Sequence, residues 1–170
     1  MLDTAPLRDA YRTLLDAAAA VAGAGDPDPV PPPGEWNAGQ ILAHVAIVTA
    51  TTIATVSAVA SGTSATYDNR IALDTWTIER LIGRAGGDAG LRDRIRLQGD
   101  CLCALGGPAL SEAELSTLVP TLLLSHDTVL VDQLVPLREL ITGLADVELP
   151  THARQLLSLL PDAARTGATA

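Results

Sequence analysis

An uncharged stretch of 23 residues constrains the fold of this chain more than any other feature. No Asp, Glu, Lys or Arg occurs between Ala38 and Ala60, and most of the residues there are apolar. A segment of this length forms either a helix that crosses a bilayer or the central helix of a bundle, which is apolar on every side. Gln40, His44, several threonines and many alanines in place of leucines favour the central helix, so no membrane association is expected.

The core around such a helix has to be built with few aromatic side chains. Apolar residues make up 48% of the chain, but aromatic residues make up only 2% and phenylalanine is absent. Small, alanine-rich faces let helices approach one another closely, which favours helix-on-helix packing over a β-sandwich. We therefore predict an all-α fold in a single domain, residues 1–161, followed by a loose polar tail at residues 162–170.

Apolar periodicity and capping residues locate the helices. Residues 7–21 repeat apolar side chains at spacings of three and four, and residues 91–105 form another helical segment, which two glycines close. Asn37 and Asp74 are suited to cap the helices that follow them, and Ser111 is suited to cap a single turn. Residues 67–70 are predicted to form a loop.

Towards the C-terminus the pattern changes from helical to extended. Residues 118–124 are apolar and residues 128–131 are rich in β-branched side chains, with His126 and Asp127 between the two runs. This arrangement predicts a β-hairpin with His126 exposed at its turn. A last helical stretch begins at Pro136 and reaches residue 160, and a kink is predicted at Pro150.

Charge and cysteine usage limit the partners and the compartment. The formal net charge is −9 and lysine is absent, so no cluster of basic residues is available to bind nucleic acid. The N-terminal residues lack the basic and apolar regions of a secretory signal. Cys101 and Cys103 are too close in sequence for an ordinary disulfide or a zinc knuckle. These features predict a cytoplasmic protein that acts on a small molecule, and they leave a homodimer open.

Three residues of metal-ligand type form the main candidate site. Glu148 and His152 are four residues apart and would share one face of a helix, and His44 lies far upstream in the apolar stretch. A Glu/His pair with one histidine from a facing helix makes a three-ligand site that leaves positions open for water or substrate. The alternative is a core histidine at His44 and a solvated carboxylate at Glu148.

Three further side chains are candidates for contacting a substrate. Gln40 precedes His44 by four residues and Thr51 follows it by seven, so both would lie on the helix face that carries the histidine. Arg70, in the predicted loop, could bind a carboxylate through two parallel hydrogen bonds. The alternatives are ordinary polar helix positions for Gln40 and Thr51, and a surface arginine for Arg70.

The order of three motifs along the chain resembles that of a known superfamily. The segment from Gly34 through Trp36 to His44, the hairpin, and Glu148-x-x-x-His152 together resemble the DinB-like/YfiT four-helix-bundle superfamily. The most similar branch contains the N-terminal domain of mycothiol-dependent maleylpyruvate isomerases. The resemblance implies a four-helix bundle with a small β-hairpin before the last core helix. It also implies a divalent metal, zinc or nickel, held by His44, Glu148 and His152.

The same resemblance implies a function. We expect a metal-dependent enzyme that activates a low-molecular-weight thiol similar to mycothiol, or water, for transfer, isomerisation or hydrolysis of a small electrophilic substrate. The alternative is a natural-product tailoring or self-resistance protein on the same fold, acting as a hydrolase, a cyclase or a non-catalytic binder. Pro150 departs from the regular turn that the ligand spacing implies, because proline removes a backbone hydrogen bond.

Overall fold

The computed structural model of the chain describes residues 1–24, 30–125 and 128–160, and it is mainly helical with a small sheet. This confirms the predicted fold class at the level of a mainly helical fold. His126 and the predicted tail, residues 162–170, lie outside the described residues. The elements follow one another in the order α1 (Ala5–Ala22), α2 (Ala38–Ala60), β1 (Tyr67–Asp68), α3 (Thr75–Ala85), α4 (Asp88–Gly106), α5 (Glu112–Leu115), β2 (Leu118–Ser125), β3 (Thr128–Pro136), α6 (Leu137–Gly143) and α7 (Leu149–Ser158).

The uncharged stretch forms α2, which lies at the centre of the fold. It packs against α1, α3, α4 and α7. Asn37 caps its N-terminus as predicted: the Asn37 side chain accepts a hydrogen bond from the Gln40 backbone, and the Gln40 side chain accepts one from the Asn37 backbone. Among the described residues, α2 is the one helix long and apolar enough to cross a membrane, and 67% of its most apolar window is buried inside the protein. Such burial is typical of a core helix.

The helices α1, α2, α4 and α7 pack around a shared aliphatic core. α1 contacts α4 and α7, and α2 contacts the same two helices. Gly99 on α4 lets α1 approach closely, because a Cβ atom there would lie 2.9 Å from the Tyr11 ring. Burying each large aliphatic side chain contributes about 1.5–3 kcal/mol. Those that are fully buried include Leu14, Ile41, Leu42, Leu91, Ile95, Leu102, Leu149 and Leu156.

Polar caps set the ends of the shorter helices at predicted positions. Asp74 accepts a hydrogen bond from the Thr77 backbone at 2.8 Å and begins α3. Gly86 ends α3 with a φ of 77°, a conformation that favours glycine. Ser111 and Glu114 form a capping box around α5.

The strands form one sheet with the order β1-β2-β3. The hairpin of β2 and β3 is antiparallel, which confirms the prediction, and it is the larger part of the sheet. The predicted loop at residues 67–70 is wrong, because Tyr67–Asp68 pairs in parallel with β2 and a 3-10 turn, Arg70–Ala72, follows. Asn69 holds this strand in place: its side-chain amide bonds to the backbone N–H and C=O of Leu124, both at 2.9 Å.

The departure from regular α-helical bonding lies just before Pro150, in a wider helical turn, and the kink at Pro150 stays a prediction. A π-helical turn, Leu144–Glu148, joins α6 to α7, and within it the Leu149 N–H donates to the Leu144 carbonyl five residues back. Pro150 then occupies the first turn of α7, where a missing N–H costs least. A π turn adds one residue to the helix without breaking it. The helix therefore continues through Pro150, and α7 includes His152.

Candidate metal centre

Three elements bring His44, Glu148 and His152 together as the His–Glu–His cluster. His44 extends from α2, Glu148 ends the π-helical turn, and His152 lies one turn later on α7. The Glu148 Oε1 atom lies 2.9 Å from His44 Nε2 and 3.2 Å from His152 Nε2. One ligand atom from each residue falls within 4.8 Å of the other two. Among the described residues, no other group of three His, Cys, Asp or Glu side chains converges in this way.

The cluster is buried on the α2 side and partly open at Glu148. The side chains of His44 and His152 are 5% and 12% exposed, whereas that of Glu148 is 35% exposed. The centre of the Trp36 ring lies 4.9 Å from the centre of the His44 ring, and the centre of the His152 ring lies 4.7 Å from it. Solvent or a small molecule therefore reaches the cluster from the Glu148 side.

The outward nitrogen of each histidine ring has its own hydrogen-bond acceptor. His44 Nδ1 lies 2.8 Å from the backbone carbonyl of Ala72, at the end of the 3-10 turn. His152 Nδ1 lies 2.9 Å from the side-chain Oε1 of Gln155. An acceptor at Nδ1 keeps the proton there, so Nε2 of a neutral ring presents its lone pair. Both Nε2 atoms face the interior of the cluster.

A cation would satisfy this donor arrangement without a proton on either Nε2 atom. A neutral imidazole has one N–H, and in both rings Nδ1 already uses it. Glu148 Oε1 is an acceptor, so bonding it to both Nε2 atoms without a metal requires two charged rings around one carboxylate. The three residues could hold a metal ion, which would replace both Nε2 protons and leave each nitrogen and oxygen with a partner.

The ionisation of Glu148 leaves its carboxylate able to act as a ligand. Burial raises the pKa of this carboxyl, but the hydrogen bonds and charges of His152 and His44 outweigh burial, and the pKa lies well below its usual range. The carboxylate therefore stays ionised at neutral pH. An ionised carboxylate with two imidazole nitrogens is a ligand set suited to zinc or another divalent transition metal.

The three residues predicted to contact a substrate are bonded elsewhere in the described structure. The oxygen of the Gln40 side-chain amide accepts a hydrogen bond from the Asn37 backbone in the α2 cap, and its nitrogen donates to Glu79 Oε1 at 2.9 Å. Thr51 donates to the Ile47 carbonyl at 3.0 Å on its own helix. Arg70 forms a paired hydrogen bond with Asp68. A substrate contact would have to replace or share these bonds, so their substrate role stays a prediction.

Several contacts of the cluster were not predicted from the sequence. The Ala72 carbonyl reaches His44 only because residues 70–72 form a 3-10 turn, which carries no motif. Tyr67 lies in the predicted loop, yet it is buried: burial raises its pKa, a hydrogen bond with Thr52 opposes this, and the Glu148 charge raises it further. Gln155 offered a signal, since it follows His152 by three residues and shares its helix face.

No protein-family model, curated protein or solved structure matches the chain.

Proposed function

We propose that this chain is a metal-dependent enzyme of the DinB-like type, with a zinc or nickel ion held by His44, Glu148 and His152. The observation that carries the proposal is the convergence of two Nε2 atoms on one Glu148 oxygen while both Nδ1 atoms are engaged outside. The substrate would be a small electrophile, and the nucleophile a low-molecular-weight thiol similar to mycothiol, or water.

Each residue in and around the cluster would have a separate role in such a site. When bound, a divalent metal supplies Lewis acidity, which lowers the pKa of a thiol or water and polarises a carbonyl. Glu148 contributes one negative charge and leaves the overall charge of the site positive. The Ala72 carbonyl and Gln155 hold the two rings, and the Trp36 ring packs beside His44. Substrate enters from the exposed side of Glu148.

The other reactive groups support this division. Cys103 is buried, and burial raises the pKa of its thiol, which makes it a poor nucleophile. Tyr11 is also buried with a raised pKa, and its hydroxyl is bonded to Thr49. Neither of these two buried groups is suited to start a reaction, which agrees with activation at the His–Glu–His cluster.

Metal content of the purified protein tests the proposal. We expect close to one transition-metal ion per wild-type chain by mass spectrometry of the metals. His44→Ala and His152→Ala should lower it several-fold, because each removes a third of the ligand set. Arg154→Ala, an exposed neighbour on α7, is the matched control and should leave it unchanged. A metal content below about half an ion per chain that His44→Ala does not alter would contradict the proposal.

A thiol titration separates a catalyst from a binder. We expect saturable calorimetric binding of mycothiol or a close analogue to the metal-loaded protein, and loss of thiol transfer in folded His152→Ala. The enzyme assignment is wrong if the metal-loaded protein binds no thiol and converts no electrophile with either a thiol or water. A protective small-molecule binder, as in natural-product self-resistance, is then the better description.

A further inference from the structure

We propose that Gln155 is a positioning residue that fixes the tautomer and orientation of His152, and thereby sets the metal affinity of the cluster. The inference rests on the proposed function and assigns a role to a side chain outside the ligand set. Gln155 touches neither metal nor substrate in this role. It acts through the ring of His152, whose Nδ1 lies 2.9 Å from the amide Oε1.

The placement of Gln155 on α7 explains why it can hold the ring. Residues three apart on a helix are neighbours on its surface, and Gln155 follows His152 by three. Both side chains are partly buried, beside the buried Ala153 and Leu156. Because the Gln155 amide is partly shielded from solvent, few water molecules compete with its oxygen as acceptors of the Nδ1–H. The proton therefore stays at Nδ1, and the Nε2 lone pair points towards Glu148.

The two histidines are held in different ways, and this difference makes Gln155 the adjustable contact. His44 donates to a main-chain carbonyl, that of Ala72, which is present whatever side chain stands there. His152 depends on a side chain. Losing the amide oxygen would free the ring to rotate and to carry its proton on Nε2, where a proton excludes a metal ion. Partners behind metal-binding histidines typically alter metal affinity 10- to 100-fold.

Substitutions at Gln155 separate an acceptor role from simple packing. Gln155→Leu keeps the volume and removes the acceptor, whereas Gln155→Glu keeps an acceptor of the same length. Zinc affinity would be measured by competition with a chromophoric chelator on full-length protein. We expect about 10- to 100-fold weaker binding for Gln155→Leu, and affinity equal to or above wild type for Gln155→Glu. Arg154→Ala is the neighbouring control and should match wild type.

Nitrogen-15 spectra of the histidine rings provide a second measurement, one that packing alone would not change. In the zinc-loaded wild type, His152 should show a protonated Nδ1 that exchanges slowly with solvent. Gln155→Leu should lose that protection, and Gln155→Glu should restore it.

The possible failures are distinguishable. If wild type binds no zinc, the proposed function fails and this inference fails with it. If wild type binds zinc but Gln155→Leu binds within about twofold of it, Gln155 has no positioning role and the proposed function stands. If Gln155→Leu does not fold, Gln155→Glu decides, because weak zinc binding or an unprotected Nδ1 in that variant contradicts an acceptor role.

Discussion

One carboxylate oxygen at Glu148 lies within hydrogen-bonding distance of two imidazole rings that come from different helices. His44 is 104 residues away in sequence, and His152 is four away. The pairing lowers the pKa of Glu148 even though the residue is partly buried. The same carboxylate is thus a metal ligand in the proposed holoprotein and a stabilising acceptor in the metal-free protein.

The stabilising role predicts a pH dependence for the metal-free protein. Because the pKa of Glu148 in the folded state lies below its ordinary value of 4.5, its ionised form favours folding above about pH 4.5, and this contribution falls as the pH drops below that value. We expect the difference in unfolding free energy between wild type and Glu148→Gln, measured by urea denaturation in chelator, to be largest near neutral pH and to shrink towards about pH 3.

Asp146→Asn provides the control, since it makes the same change of charge at an exposed position two residues earlier. Its difference from wild type should vary little over the same range. A Glu148→Gln difference that stays constant from neutral pH to about pH 3 would mean that the carboxylate is not stabilised by the two histidines.

At this scale the sequence predicted which three residues converge but not the contacts that hold them in place. His44, Glu148 and His152 were identifiable because the chain has only three histidines and one of them follows Glu148 by four residues. Gln155 had a spacing signal but no distinctive chemistry. The Ala72 carbonyl could not be predicted, because a backbone acceptor depends on chain direction, and the 3-10 turn that sets it is formed by contacts with α2.

At the scale of single elements, the close contact between α3 and α4 depends on one glycine. A Cβ atom at Gly90 would lie 1.8 Å from the Ala85 carbonyl oxygen. The neighbour is backbone and cannot rotate away, so Gly90→Ala should destabilise the protein by about 3 kcal/mol, the upper end of the usual cost of overpacking. Chemical denaturation would measure this.

Gly83→Ala is the matched control in the same helical hairpin. A Cβ atom at Gly83 meets nothing within 4 Å, and alanine is a better helix former by about 0.5–1 kcal/mol. We expect Gly83→Ala to be neutral or stabilising. Equal effects of the two substitutions would show that α3 and α4 do not pack closely at Gly90.

The π-helical turn is the element that reconciles Pro150 with the geometry of the His–Glu–His cluster. Since Pro150 lies in the first turn of α7, Pro150→Ala should change metal affinity by less than about threefold and stability by less than about 1 kcal/mol. Deleting Val147, an exposed residue within the turn, should instead rotate the segments on either side by about 100° relative to each other. The deletion should abolish metal binding. A tenfold loss in Pro150→Ala would show that proline itself shapes the site.

Elements with local signals were predicted well, and those made by distant contacts were not. Asn37, Asp74 and Ser111 cap helices where their side-chain chemistry indicates. β1 escaped prediction because two residues carry no periodicity, and its partner in β2 lies more than fifty residues later. The π turn escaped prediction because a proline alone indicates a disruption but not which hydrogen bonds rearrange.

At the scale of the whole molecule, the cluster links the centre of the fold to its C-terminal helix. His44 lies on α2, and Glu148 and His152 flank the start of α7. α7 also packs against α1, so a metal held by all three residues would bind the folded chain and not the unfolded one. Metal binding should therefore appear as global stability, beyond any effect on the site itself.

Thermal unfolding tests this coupling. With free zinc at a hundred times the dissociation constant, the folded state gains about 2.7 kcal/mol. For a chain of this size each kcal/mol raises Tm by about 2–4 °C, so we expect Tm to rise by roughly 5–10 °C over the chelator-treated protein. His44→Ala should show no rise, because the remaining pair lies on a single helical segment and cannot link it to α2. Arg154→Ala should show the full rise. If wild type and His44→Ala gain equally, zinc binds elsewhere; if neither gains, the cluster does not link α2 to α7 through a metal.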